Sequence, residues 1–362
     1  MRALIDLLGA RWSMGAPVVG AAWDNAGEVA GFGLGDGTVA LARRAWHGGP
    51  RLEDRESGVT VVLAQHPPPP VARISVHGGT CLGLTSDGEG GFLSGGNDGR
   101  LARTDREGSV QEVAHFPGKW ADPVAAGPAG WRACACGRQV SIFGETAVRL
   151  TMAASITALA FDPSGRTLAI AHEGGITLWT AWVEQTRIFT HDGSPRALVW
   201  SPDGTYLVAG TQENALRGWR VKDGSEIDLA AYPGQPLSLS FSEAGRFLAT
   251  SGAPRVVCWP FDPPGPGASR TECGITSWVP VTKVACHPSR ALVAAAYQNG
   301  VVLLCKPGVD DTLFLRRPAG APVTALAWSP DGIALATGTE DGEIGVVTLP
   351  DRIFRAAPEA AR

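Results

Sequence analysis

The chain has 362 residues, 44% hydrophobic and 18% charged, with a formal net charge of −4 and an isoelectric point near 6.0. That balance argues against a general nucleic-acid or membrane-surface binder. Glycine (47) and proline (27) make up about a fifth of the chain against about 12% on average, and they are mixed with Val, Leu, Ala and Trp, so a turn-rich folded chain is expected and a helical bundle is excluded.

The first eleven residues make a poor signal peptide, because Asp6 breaks the apolar stretch and Arg11 stops it. No run of about 18 apolar residues exists to span a bilayer as a helix. Seven cysteines, at 81, 134, 136, 258, 273, 286 and 305, are too scattered for a secreted disulfide framework. A cytoplasmic protein is expected.

From residue 17 onward one unit recurs: a short apolar strand, a bulky anchor, a turn that reaches glycine, and a second apolar strand. It opens weakly at 20–27, with further weak copies around 84–88 and 126–130. The pattern sharpens at 158–165 (ALAFDPSG) and 197–204 (ALVWSPDG), continues through 238–245 and 284–290, and ends at 325–332 (ALAWSPDG). The anchors fall at 23, 84, 126, 161, 200, 241, 286 and 328, spaced by 61, 42, 35, 39, 41, 45 and 42 residues. Glycine stands four residues after seven of the eight, and Arg290 is the exception. Proline presets φ for the first corner of such a turn, aspartate bonds its own backbone, and glycine accepts the left-handed conformation that follows. Each motif therefore joins two antiparallel strands.

A polar turn residue follows most anchors: Asp36, Asp98, Glu173, Glu213, Asn299 or Asp341. Six residues later a third strand ends on Trp179 or Trp219, with Trp259 in the same column and Ala42, Thr104, Phe143, Cys305 and Val347 in the other copies. A variable fourth strand fills the gap to the next anchor. Four strands in about 40–45 residues is a propeller-blade pattern.

On these residues the chain resembles the WD40-repeat family from about residue 17 to 350. The family's Trp-Asp dipeptide is not kept: the copies read Trp179-Thr180, Trp219-Arg220 and Trp259-Pro260. The resemblance implies an all-β fold, a β-propeller of four-stranded antiparallel blades. Eight blades are expected, with seven as the alternative, in a single domain over 1–362. The units run over about 17–63, 80–114, 122–150, 155–190, 195–230, 236–274, 280–316 and 322–350. Closure is assigned to a strand at residues 3–8 in preference to the tail 352–354. The family's tetrad of His, Ser/Thr, Asp and Trp is matched best by His191, Thr211, Glu213 and Trp219, with the other units lacking at least two members.

The resemblance also places partners on one face, built from the loops before each first strand and the turns between second and third strands. Trp12, Lys119, Trp120, Tyr232, Trp278, Arg316 and Arg317 are the candidates from the loops, with Asp98, Arg255, Gln298 and Glu340 from the turns. Trp, Tyr and Arg dominate interface hot spots. The competing reading is that the aromatics cap blade cores and the arginines are merely solvated.

Two insertions stand out. Residues 43–79 carry a mixed charge run at 51–56 and four prolines at 67–70, a polyproline II segment read as a stiff connector, with docking into an aromatic groove as the lesser alternative. Residues 260–267 read as a long outer loop. Cys134 and Cys136 share one face of a presumed second strand and offer two metal ligands, but no second pair completes a site. His287 reads as bonded to its turn, and Cys286 and Cys305 as small core hydrophobes. Residues 31–35 hold three glycines but no helix to bind phosphate, and no hydrolase, zincin or P-loop motif is present. The expected function is a non-catalytic, monomeric scaffold for a protein partner, without cofactor, nucleic acid or membrane. The alternative is a metal-handling protein using Cys134, Cys136 and His287 or the central channel, and peptide binding at the channel mouth is a third idea.

Overall fold

The computed structural model describes residues 2–55, 58–242, 244–261 and 269–354. The turns form as their residues dictate. Gly204 and Gly332 take φ of 71° and 70°, and the Ser201 and Ser329 hydroxyls accept the amides of Tyr206 and Ala334 at 2.8 and 2.9 Å. Each such turn reverses one strand onto the next, and eight four-stranded antiparallel blades result. The first comprises Val18–Trp23, Val29–Leu34, Thr38–Arg43 and Ala72–Ser75. Six more follow with consecutive strands, over 81–115, 124–151, 156–190, 195–231, 239–273 and 281–316. The eighth joins Val323–Trp328, Ala334–Thr339 and Glu343–Thr348 to Gly9–Ser13 from the N-terminus. The protein is an eight-bladed β-propeller.

Burial grades across each blade. Second strands such as Val29–Leu34 and Ala334–Thr339 are buried throughout, because neighbouring blades cover both their faces, so they read as continuous apolar runs rather than alternating ones. Fourth strands such as Val110–His115 lie at the rim and are largely exposed.

The anchor column also stitches blade to blade. The indoles of Trp23, Trp200 and Trp328 donate to Ala327 O, Ala160 O and Ala285 O of the preceding blade, at 2.9, 3.0 and 3.0 Å. Cys286 keeps the same bond with its thiol, to Ser240 O at 3.2 Å. In the opposite direction Thr282 and Thr324 donate to Val323 O and Val18 O of the following blade, at 2.9 and 2.6 Å. The second unit departs from the sequence register. Ser86, not Leu84, faces Phe92 as Trp200 faces Leu207, so the true anchor there lies two residues later.

Closure does come from the N-terminus, but not through residues 3–8. Leu4–Leu8 is a short helix, and the closing strand is Gly9–Ser13, paired from Gly9↔Val347 to Ser13↔Glu343. The reason is local. Helical spacing turns Ile5 and Leu8 inward together, and the Ala3 amide donates to the Asp6 carboxylate at 3.3 Å. The tail Asp351–Phe354 forms a single 3₁₀ turn instead of a strand.

The first insertion folds back over this junction. Its hairpin, Arg51–Arg55 with Gly58–Val62, packs Leu52 and Val61 against the cluster that holds Ile5, Leu8, Leu304 and Val347. The proline run is tied down by the Trp12 indole, which donates to Pro69 O at 2.9 Å. It thus lies against an aromatic of its own chain, as a connector. Of the second insertion, residues 262–268 lie outside the described residues, while Phe261 is buried against Phe241 and Tyr206.

Candidate functional site

Strand direction puts the loops before first strands and the turns between second and third strands at one end of the ring. Two tryptophans stand free there. Trp120 is 67% exposed, in the loop between second and third blades, and Trp278 is 100% exposed, in the loop between sixth and seventh. Lys119 is exposed beside Trp120 and donates to Gln139 Oε1 at 2.9 Å. Arg317, Gln298 and Glu340 are exposed as well, and the Arg317 guanidinium lies 5.6 Å from the Phe314 ring.

Other candidates are placed differently. Arg316 is 3% exposed: it donates to Gly300 O at 2.8 Å and pairs with Glu343 at 3.1 Å, fastening the seventh blade to the eighth. It is neither solvated nor presented to a partner. Trp12 sits on the closing strand, engaged with Pro69. Arg255 is half-buried and pairs with Asp310 at 3.0 Å.

Tyr232 is also buried, in a network. Its hydroxyl donates to Thr250 O at 3.3 Å, Thr250 Oγ1 lies 3.1 Å from that hydroxyl and donates to Val257 O, and the Trp259 indole donates to Thr250 Oγ1 at 3.2 Å. Burial pushes the Tyr232 phenol up to about 12. Here tyrosine takes the place that the resemblance gives to histidine.

A second network lies in the second blade, which the sequence reading passed over. His77 Nε2 is 2.9 Å from Ser94 Oγ, and its Nδ1 is 3.4 Å from Asp98. Asp98 accepts the Gly78 and Arg100 amides at 2.8 and 3.1 Å. Burial tends to raise the Asp98 pKa, but those amides and His77 outweigh it and hold it below 3.8. Burial lowers the His77 pKa, against the pull of Asp98. The signal was available: His77 precedes Cys81 by four residues, as His191 precedes Pro195, and both of those residues open first strands.

The expected tetrad in the fifth blade does not close. Glu213 accepts the Ser194 amide at 3.2 Å, while His191 Nε2 and Thr211 Oγ1 make no hydrogen bond of normal geometry among the described residues. Register explains this. Trp219 faces Leu207, as Trp259 faces Leu248 and Thr104 faces Phe92. The hydroxyl column stands two residues beyond that partner, at Thr250 and Ser94, and in the fifth blade the position holds Ala209.

The metal reading finds no common site. Cys134 and Cys136 lie buried in the third blade, and His287 in the seventh, where Nε2 is 3.0 Å from Gly332 O and Nδ1 accepts the Ser289 amide at 3.1 Å. Among the described residues no group of three or more His, Cys, Asp or Glu is placed to hold a metal ion. On the opposite end of the ring the sequence reading missed Trp182, 67% exposed at φ 61°, with Arg166 over its ring at 5.7 Å. No helix is long and apolar enough to cross a membrane among the described residues.

The repeat described as "WD domain, G-beta repeat" matches residues 183–220 and 314–346. The chain thus carries repeats of the WD40 family. Among WD40 relatives it is 23% identical over 201 residues to Protein HIR1 of Cryptococcus neoformans, covering 47% of this chain and 22% of that protein. It is 28% identical over 188 residues to a chromatin assembly factor 1 subunit FAS2 homolog of Oryza sativa, covering 49% and 35%. WD repeat-containing protein 36 of Homo sapiens is 36% identical over 61 residues, covering 17% and 7%. The chain thus matches only about a fifth to a third of the length of the first two. Among solved structures, the computationally designed Ika8 protein superposes with a TM-score of 0.70 at 14% identity, covering 95% of this chain and 99% of that one, a likeness of fold alone.

Proposed function

We propose that this WD40 propeller is a non-catalytic scaffold that seats a protein partner on the face carrying Trp120 and Trp278. One observation carries the reading: two of the largest apolar side chains stand in solvent at the same end of the ring, while the repeat tryptophans are buried or half-buried. Covering a tryptophan on association removes a large apolar area from water, and tryptophan is enriched at hot spots. The two loops lie four blades apart in a ring of eight, on opposite sides of the central axis. A partner touching both must span the channel mouth, which favours a globular domain over a short peptide. The name of the rice relative, a subunit of an assembly factor, supports a role within an assembly.

The test is affinity purification with the wild type and with Trp120→Ala/Trp278→Ala. Both side chains are exposed, so the double variant should keep its thermal midpoint. A directly binding partner should lose at least about tenfold in affinity, or about 1.4 kcal/mol. Undiminished binding of every partner would show that the wrong surface had been chosen.

A further inference from the structure

Four of the seven cysteines gather in one buried cluster at the junction of the sixth and seventh blades: Cys258, Cys273, Cys286 and Cys305. Cys286 is engaged with Ser240 O. The other three form a chain of thiols, with Cys273 Sγ 4.0 Å from Cys258 Sγ and 3.2 Å from Cys305 Sγ. Cys273 ends the outermost strand of the sixth blade, Thr271–Cys273, while Cys305 ends the third strand of the seventh, Val302–Cys305. The shorter contact therefore crosses between blades and the longer one stays within the sixth.

We propose that Cys273 and Cys305 are a covalent modification site, forming a disulfide that staples the sixth blade to the seventh when a disulfide oxidant reaches them. Three observations converge. The two sulfur atoms stand 3.2 Å apart, so bond formation has about 1 Å left to close to reach S–S bonding distance. The central thiol is the one best able to ionise: hydrogen bonds from Cys258 and Cys305, with the Arg255 guanidinium nearby, hold its pKa below the ordinary thiol value despite burial. Donating to Cys273, and then burial, push Cys258 and Cys305 above it. The edge that carries Cys273 is also short. Between the first strands the junction is bonded from Cys286 N to Ser240 Oγ at 2.9 Å and from Val284 N to Ser238 Oγ at 3.0 Å, at one end from Gly252 N to Val281 O and from Val281 N to Ala253 O, both 2.9 Å, and beyond them by the Arg255–Asp310 pair. The sixth blade has the shortest outer strand, three residues, and its inner strand is three residues as well.

Access follows from the same feature. Among the described residues the outer strand is paired over three positions, Val256↔Cys273, Val257↔Glu272 and Cys258↔Thr271, and Thr271 and Glu272 are exposed. Local opening of so short an edge costs far less than global unfolding. The chemistry balances as thiol–disulfide exchange. The Cys273 thiolate attacks one sulfur of the oxidant RSSR and expels RS⁻, leaving a mixed disulfide. The Cys305 sulfur, deprotonated, then attacks the Cys273 sulfur and expels the second RS⁻. Two protein thiols are oxidised, one RSSR is reduced, and both thiol protons end on the two RSH.

The folded full-length chain is incubated with oxidised glutathione, remaining thiols are alkylated in denaturant, and peptides are mapped by mass spectrometry. The expected product is a Cys273–Cys305 cross-link, with a loss of two hydrogens and a thermal midpoint higher than that of the reduced chain, reversed by dithiothreitol. Cys258→Ser should keep the cross-link, and Cys305→Val, which preserves buried apolar volume, should abolish both it and the midpoint shift. A Cys258–Cys273 link, glutathione adducts that never resolve, four alkylated cluster thiols after oxidation, or a cross-link with no rise in midpoint would each overturn the proposal.

Discussion

Replacing Ile5 by alanine should weaken the whole ring, although residue 5 lies outside every repeat. Its side chain is 3% exposed and packs with Leu8, Leu292, Leu304, Leu315, Leu335 and Val347, so it joins the closing helix to the seventh and eighth blades. Burying an isoleucine and then truncating it removes transfer free energy and leaves a cavity, together about 2–5 kcal/mol. Alanine returns a few tenths of a kcal/mol through its better helix propensity. At about 2.1 cal/mol/K per residue the chain's unfolding entropy is about 0.76 kcal/mol/K, so the midpoint should fall by about 3–7 °C. Circular dichroism melts of wild type and Ile5→Ala measure this. Arg11→Ala is the control, because Arg11 and its partner Asp6 are both substantially exposed and such pairs contribute about 0–1 kcal/mol. An Ile5→Ala midpoint within about 1 °C of wild type would refute the view that the N-terminal segment locks the ring.

Trp328→Phe leaves Ala285 O without its indole donor, at a cost of about 1–3 kcal/mol in urea unfolding, and an unchanged midpoint would deny the stitch between blades. Arg316→Ala strands Gly300 O and Glu343 and should cost about 2–4 kcal/mol, discounted because Glu343 is partly exposed, whereas Arg317→Ala should stay within about 0.5 kcal/mol; equal melts for the two variants would contradict these placements. Ala209→Ser supplies the missing hydroxyl of the fifth blade, two residues beyond Leu207, the partner of Trp219, and should stabilise by about 1 kcal/mol, and a loss in thermal midpoint would mean that the column is misassigned. Burial sets the pKa of His77, His191 and His287 below 6.5. Between each folded value and 6.5 the unfolded chain binds protons that the folded chain does not, so stability is complete above about pH 6.5 and falls as pH drops. Asp98, held below 3.8, adds a further loss as pH falls through its folded value. Melts from about pH 7.5 to about pH 5 should show the decline, reduced in His77→Gln, and a flat profile would rule it out.

Turn chemistry was legible because it is local. Glycine four residues past Trp200 and Trp328 can only follow a reversal, and eight reversals at similar spacing require eight blades. The second blade shows the limit: its turn is one residue shorter, with the Asp87 amide bonded to Gly91 O, where the Ser201 amide reaches Tyr206 O. A fixed offset therefore misplaced its anchor, and the same slip hid His77. The helix at Leu4–Leu8 was missed because four leucine and isoleucine residues around one Asp fit either period in so short a window.

The side-chain networks failed to read for a different reason. In a strand, positions two apart share a face, so Thr211 and Ala209 point the same way and look equivalent by pattern. What separates them is which residue on the third strand stands opposite, and that depends on turn length. Between the second and third strands of the sixth blade the connection runs 251–255, longer than the 212–214 of the fifth, so counting back from Trp259 and from Trp219 gives different hydroxyl positions. Arg316 and Arg317 make the same point at the end of a rim strand. Gly300 O and Glu343 of the next blade hold the first inward, and nothing in the two adjacent arginines themselves says which one will be buried. The number of blades follows from contacts close in sequence, whereas what each face displays follows from pairings across blades.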